Sequence, residues 1–522
     1  MRFRAFLTLV IALPIVIYSC KNETNTEATE KVETSETVIY NEPFRPQFHF
    51  SPREKWMNDP NGLVYHKGVY HLFYQYYPED IVWGPMHWGH AVSRDLISWE
   101  HKPVALYPDE LGLIFSGSAV VDAMNSSGLG TTENPPLVAV YTYHSMEGEK
   151  AGRTDYQTQG LAYSLDNGDS WEKYKGNPII GNAGMKDFRD PKVFWNEEKN
   201  EWVLVLVAGD HARFYRSNNL LSWELMSEFG RNAGAHGGVW ECPDLFKLNV
   251  AGSSEEKWVL LISINPGAPN GGSGTQYFVG DFDGETFTSD QKDTKWLDWG
   301  MDNYAGVTYN NTPMADRIFI GWMSNWNYAR DTPTEVWRSA MTLPRTLELY
   351  REGGEYFLKN YPLPAFNKIA AEIIATEKQV SLQYPYTLEH DSLNTTDISF
   401  KTDLSKNLSV TISNAKGEQL RLLLNGETGE LLFDRTRSGI VNFEKSFGEA
   451  LQKQPFKPKE GMVEVRLILD QSSIEVFIED GKYVFTNQLF PRQPYTKLEI
   501  SGLKDEVIKD LKVTYVGSVW QP

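Results

Sequence analysis

From about residue 44 onward, apolar residues come in short alternating or continuous runs, broken by Gly, Pro, Asn and Asp. GLVYHKGVYHLFYQYY, PLVAVYTYH, EWVLVLVAGD and KWVLLISIN are of this kind, and each predicts one strand or a pair of strands. A sustained helical period is hard to find before residue 360, so this half reads as all-β. An internal repeat sharpens the reading. WGHAVSRDLISWE, LAYSLDNGDSWEKY, RFYRSNNLLSWELM and YFVGDFDGETFTS each pass from a strand through a polar turn to Ser-Trp, or a Thr-Phe equivalent, opening the next strand. The aromatic positions are Trp99, Trp171, Trp223 and Phe287, at spacings of 72, 52 and 64 residues. A four-stranded propeller blade with insertions has this length, and residues 44–346 hold five units at roughly 60 residues each.

The expected architecture is therefore a five-bladed β-propeller over 44–346 and a mixed connector over 347–368. Over 369–522 the pattern changes to longer alternating strands with Gly-rich or Asp/Asn-rich turns, as in LSVTISNAKGEQLRLLLNGETGELLFDRT and GMVEVRLILDQSSIEVFIEDGKYVFTNQLF, which predicts a β-sandwich. At the other end, residues 1–20 carry Arg2 and Arg4 ahead of the apolar stretch Phe6 to Ile17 and close on Tyr18-Ser19-Cys20. That stretch is short for a spanning helix and reads as an export signal with a lipobox-like end, Cys20 being the expected lipidation site. Residues 21–43 are polar and acidic, and they read as a flexible tether. No later segment is apolar enough to cross a bilayer, so the expected membrane partner is reached through the lipid alone.

Composition narrows the function classes. The 522 residues carry a formal net charge of −19, which opposes phosphate neutralisation and hence nucleic-acid binding. Two cysteines, Cys20 and Cys242, exclude a disulfide framework and a Cys-rich zinc site. His71, His87, His90 and His101 lack metal-ligand spacing and read as ordinary strand and loop histidines, so neither metal nor cofactor is expected. The 16 Trp and 26 Tyr suit stacking on sugar faces, but a β-rich core uses the same residues.

Three carboxylates have unusual settings. Asp59 lies in Trp56-Met57-Asn58-Asp59-Pro60-Asn61-Gly62, Asp190 in Phe188-Arg189-Asp190-Pro191, and Glu241 in Trp240-Glu241-Cys242-Pro243-Asp244. Each stands just ahead of a proline and opens a strand. Singly, they read as a turn, a structural ion pair and an exposed strand end. Together, on three repeat units whose inner strands line one channel, they suit glycoside hydrolysis, which needs a carboxylate nucleophile, a protonated acid and negative charge near an oxocarbenium-like centre. Trp240 and Cys242 offer a weakly solvating setting that raises the Glu241 pKa, and Arg189 is expected to hold Asp190 ionised. Without a base motif around it, Cys242 reads as packing and tuning rather than as a nucleophile.

In this order, WMNDPNG, FRDP and WECPD resemble the three signature motifs of glycoside hydrolase family 32, the β-fructofuranosidases. Tyr74-Gln75-Tyr76, Trp83-Gly84, Phe115-Ser116-Gly117-Ser118, the run Gly321 to Trp326, Trp337 to Arg345 and Asp470 to Phe477 support the resemblance, which covers nearly everything from residue 44 onward. It implies a propeller carrying the site, a C-terminal sandwich and a retaining double displacement on β-D-fructofuranosyl units. In it Asp59 is the nucleophile, Glu241 the acid and base, and Asp190 the transition-state stabiliser. It also implies that Asn58, Gln75, Trp83, Phe115, Ser116, Arg189 and Trp326 contact fructose, with Trp56 helping to form the floor. The Ser-Asn-Trp and Trp-Arg-Ser-Ala-Met-Thr segments look more like levanases and exo-inulinases than plant invertases, which favours fructan over sucrose and release of fructose from chain ends. The competing readings are an endo-acting levanase, a non-catalytic fructan-binding lipoprotein, a transfructosylase and a propeller glycosidase acting on arabinan or xylan.

Overall fold

The computed structural model describes residues 40–520, apart from 314–315, 450 and 503–505. The expected signal with Cys20, and residues 21–39 of the expected tether, lie outside the described residues. Residues 40–43, assigned to the tether from sequence, are packed: Tyr40 stacks on Trp520 at 4.2 Å and Glu42 pairs with Arg45 at 2.6 Å. The reason is Arg45, whose side chain is buried and needs a carboxylate beside it.

Five antiparallel sheets form the blades of a propeller. Their innermost strands are Lys55–His66, Leu113–Val121, Phe188–Asn196, Val239–Asn249 and Tyr304–Thr308, and each contacts the next around a ring. The ring closes where Lys55 and Trp56 pair in parallel with Trp337 and Arg338, and where Asn310 exchanges backbone hydrogen bonds with Leu63 and Tyr65. The sequence repeat marks the passage from third to fourth strand in the first four blades. Trp99, Trp171 and Trp223 stand immediately before the outer strands Glu100–Leu106, Glu172–Lys173 and Glu224–Phe229, and Phe287 opens Phe287–Thr288. The turns repeat because their side chains satisfy the same backbone donors. Ser93, Ser164 and Ser217 accept from Leu96, Gly168 and Leu220, while Asp95, Asp166, Asn219 and Asp283 accept N–H groups further round the turn.

The fifth blade departs from this pattern. Its outer strands are Arg345–Glu352 and Glu355–Pro362, joined through Gly353 and Gly354 at φ +61° and +90°. The segment expected as a connector from 347 thus supplies two blade strands, and the link to the next sheets is the short 3-10 turn Pro364–Ile369. Two glycines at positive φ make a tight hairpin without the Ser/Asp turn, which is why the repeat gave no sign of it.

The remaining strands form two six-stranded sheets enclosing one apolar core, a β-sandwich. Its strand Tyr483–Gln488 lies against the propeller: Trp299 and Asp302 donate backbone N–H groups to Val484 and Thr486. Below the level of the site, the channel is filled by polar groups. Lys192 pairs with Asp244 at 3.1 Å and donates to the Thr308 carbonyl, while the Asn310 amide bridges the Ala119 and Val193 carbonyls of neighbouring blades.

Candidate active site

Every innermost strand carries a register shift at one level of the ring, between Met57 and Pro60, Ile114 and Gly117, Arg189 and Lys192, Glu241 and Asp244, and Tyr304 and Val307. Three of these contain a proline: Pro60, Pro191 and Pro243. A proline has no N–H to give to the ladder, so it fits a bulge, and a bulge re-aims the side chains around it. Asp190 and Cys242, each just before a proline, adopt φ +61° and +46°, which is strained for side chains with a Cβ. The X-Pro motifs are thus the local code that turns Asp59, Asp190 and Glu241 inward.

They meet in a cavity of about 390 Å³. Asn58, Asp59, Gln75, Trp83, Phe115, Ser116, Arg189, Asp190, Glu241 and Trp326, all expected from sequence, line it. Trp56 does not. It is completely buried beneath Asn58, donating its indole N–H to Asn58 Oδ1 at 2.7 Å and lying against Trp326 with ring centroids 5.9 Å apart. Its ring packs into the apolar core behind the site, so it positions Asn58 instead of forming the floor.

Asp59 Oδ2 accepts from Ser116 Oγ at 2.7 Å and Oδ1 from Asn58 Nδ2 at 2.9 Å, which fixes the carboxylate plane. Asp190 Oδ2 accepts the Cys242 backbone N–H at 3.0 Å. Burial raises the Asp190 pKa; Arg189 opposes this, while the negative charges of Glu241 and Asp59 add to it. Glu241 takes Arg189 Nη2 on Oε1 at 2.8 Å and the Tyr304 hydroxyl on Oε2. Its pKa is raised, first by burial and then by Asp59, against the lowering effects of Arg189 and the Tyr304 hydrogen bond. Asp190 and Glu241, facing one guanidinium in a poorly solvated cavity, thus both hold a proton more tightly than free carboxylates do.

Two expected causes differ from those observed. Arg189 was expected to hold Asp190 ionised; it does favour the ionised form from 4.0 Å, but burial outweighs it, and its closest carboxylate is Glu241. Trp240 was expected to desolvate Glu241, but strand alternation points its ring into the core of the third and fourth blades, where Nε1 bonds the Ala235 carbonyl. Cys242 packs between the two aspartates, its Sγ 3.6 Å from Asp59 and 3.7 Å from Asp190. Burial and the surrounding carboxylates push its thiol pKa far up, so it stays a thiol.

Sequence reasoning missed His144, Glu149, Asn265 and Arg330, which complete the cavity wall, and Tyr304 behind Glu241. His144 stacks on Phe115 at 4.2 Å and its Nε2 lies 3.2 Å from Glu149. The Arg330 guanidinium lies 5.9 Å from the Trp83 ring centre and 5.7 Å from that of Trp326. These residues come from strand ends and loops without a repeated motif. Only the tandem placement of Tyr304 at a strand start, like that of Glu241, was a usable signal.

A propeller whose channel mouth gathers an ion-paired acid, two further carboxylates and a lining of aromatic and amide side chains defines a glycosidase. Family comparison makes this particular. The Glycosyl hydrolases family 32 N-terminal domain matches residues 49–361 and the Glycosyl hydrolases family 32 C terminal domain matches 367–515. The chain belongs to glycosyl hydrolase family 32. It is 44% identical over 505 residues to a levanase of Bacillus subtilis, covering 94% of this chain and 72% of that one. Among solved structures it superposes on the exo-inulinase of Aspergillus awamori with a TM-score of 0.84 at 38% identity, over 92% of this chain and 100% of the other. A fructofuranosidase of Schwanniomyces occidentalis, solved with fructosylnystose, gives 0.82 at 31% identity, over 92% and 99%.

Proposed function

We propose that this chain is a retaining β-fructofuranosidase that removes fructose from the ends of fructan chains. The observation that carries the reading is the shape of the cavity around the three carboxylates. Beneath Asp190 the channel shrinks to a void of about 10 Å³ and is then blocked by Lys192, Asp244 and Asn310. A site open at one mouth and closed below accepts a chain terminus.

In the first step Asp59 attacks the anomeric carbon. The bond to the leaving oxygen breaks as Glu241 gives that oxygen its proton, and a covalent fructosyl ester forms. In the second step Glu241 takes a proton from water, which displaces Asp59 with a second inversion. Asp190, anchored by the Cys242 N–H, holds fructose hydroxyls and offers negative charge to the oxocarbenium-like centre. Asn58, Gln75 and Ser116 each retain a hydrogen-bonding group for the sugar after their internal bonds. Trp83, Phe115 and Trp326 supply apolar walls, and Arg189 binds both substrate and Glu241. We read residues 1–20 as the export signal and Cys20 as the lipid-bearing residue, which places the enzyme outside the cytoplasm, where polymers too large to import are met.

Digestion of levan, inulin, sucrose and arabinan tests the reading. Free fructose should accumulate from the earliest samples of a fructan digest, with arabinan untouched; an early ladder of oligosaccharides contradicts the exo mode. The acid assignment has its own test. Removing the Tyr304 hydrogen bond takes away a group that lowers the Glu241 pKa. In Tyr304→Phe the fall in kcat/KM on the alkaline side should therefore move to higher pH. A limb that stays in place, or moves down, removes Glu241 as its source.

A further inference from the structure

The same channel has a second, lower mouth. A cavity of about 400 Å³ opens there among the far ends of the innermost strands of the second, third and fourth blades and residues Asn310, Asn311 and Arg317 of the fifth. At about 3.3 Å per residue, the chain descends roughly 15 Å between Asp190 and Trp195, and the polar plug of Lys192, Asp244 and Asn310 separates the two cavities. The lower cavity is lined by Trp195 and Trp258, both half-buried. Neither indole N–H has an acceptor among the described residues. Trp195 is braced edge-on by Trp202 at 5.1 Å, and Trp258 edge-on by Phe282 at 5.3 Å and at a tilt by Phe194 at 5.7 Å, with the Lys247 ammonium 5.5 Å from its ring centre. Arg317 also lines the cavity. It gives one hydrogen bond, to the Tyr309 carbonyl, and has no carboxylate within 4 Å among the described residues.

We propose that this lower cavity binds a segment of neutral oligosaccharide, namely an internal stretch of the fructan whose ends are cut above. Braced rings with free N–H donors suit the apolar face and hydroxyls of a sugar. The charged groups around them are of both signs, Glu197 and Glu198 against Lys247 and Arg317, which selects neither an anion nor a cation. Because the plug separates the cavities, the occupant is not the terminus undergoing cleavage. Holding a polymer here raises the local concentration of chain ends without any change at the site of chemistry.

This inference rests on fructan being the substrate, and the experiment separates the two claims. Native gels containing levan or inulin, and kinetics on polymer and on a fructan trisaccharide, are compared for the parent, Trp195→Ala and Arg317→Gln. Trisaccharide turnover reports both folding and the upper site. The expected result is retardation of the parent, loss of most of it in both variants, and a KM on polymer raised about 5-fold at unchanged trisaccharide kinetics. Parental retardation and polymer KM in both variants, or a parent that is not retarded, overturns the lower site. A parent that releases no fructose from any fructan overturns the substrate reading instead.

Discussion

The Asp59→Asn variant is expected to fold as the parent does and to lose about 10⁴-fold in kcat on every fructoside. Asparagine keeps the shape of the side chain, its amide oxygen and nitrogen still meet Asn58 and Ser116, and neither bond requires a charge. What it cannot do is form the ester to the anomeric carbon, so both steps of the double displacement are lost together. Glu241→Gln behaves differently. It should cost about 10²–10⁴-fold on natural linkages, where the leaving oxygen needs a proton, and far less in the first step on a fructoside whose leaving group departs as a stable anion. Comparing the two variants on the two substrate types therefore assigns the roles separately. An Asp59→Asn protein that kept about a tenth of the parental rate would remove Asp59 as nucleophile, because a tenfold change corresponds to only about 1.4 kcal/mol, far below the contribution of covalent catalysis.

The parts of this molecule legible in the sequence are those written in local chemistry. The polar turn of Ser, Asp or Asn followed by Trp or Phe is a local device, and it exposed four blades. The fifth blade turns on Gly353-Gly354 instead, and its outer hairpin passed for a connector. Asp59, Asp190 and Glu241 were legible because each sits by a proline at a bulge, so the motif and the inward turn have one cause. The partners of those carboxylates were less so. Arg189 reaches Glu241 across a blade boundary, and Tyr304 approaches from the fifth blade. Such pairings depend on ring closure, which no local pattern encodes. Trp56 shows the converse: it stands inside the strongest motif, yet packing assigns it to the core behind the site.

The other large expected effect lies outside the cavity, where the sandwich meets the propeller. Glu475 is fully buried, with Oε2 3.0 Å from Arg345 Nη2 of the fifth blade and Oε1 3.2 Å from His49 Nε2, and it also accepts the Leu343 N–H at 2.8 Å. Arg345 is equally buried and pairs with Asp298 at 3.1 Å, while His49 Nδ1 meets Asp470 at 2.8 Å. Burial alone would depress the His49 pKa, but the hydrogen bonds to Asp470 and Glu475 lift it to about 9. Replacing both members of a buried pair by well-packed apolar groups is often harmless; removing one strands the other. Glu475→Ala leaves Arg345 and His49 short of charge in a dry interface and should lower stability by about 3–5 kcal/mol, read as a fall in the denaturant midpoint. The imidazolium supplies a second readout. An unfolded histidine titrates near 6.5, so the native state holds an extra proton above that pH and gives it up near 9. His49 stabilisation is therefore complete below about pH 6.5 and is lost as pH rises through about 9. In Glu475→Ala one of the two carboxylates holding that proton is gone, so the decline should still begin near pH 6.5 but be smaller in total and level off at a lower pH than in the parent. A variant with parental stability and an unchanged pH profile would show that Asp470 and Asp298 alone carry the interface.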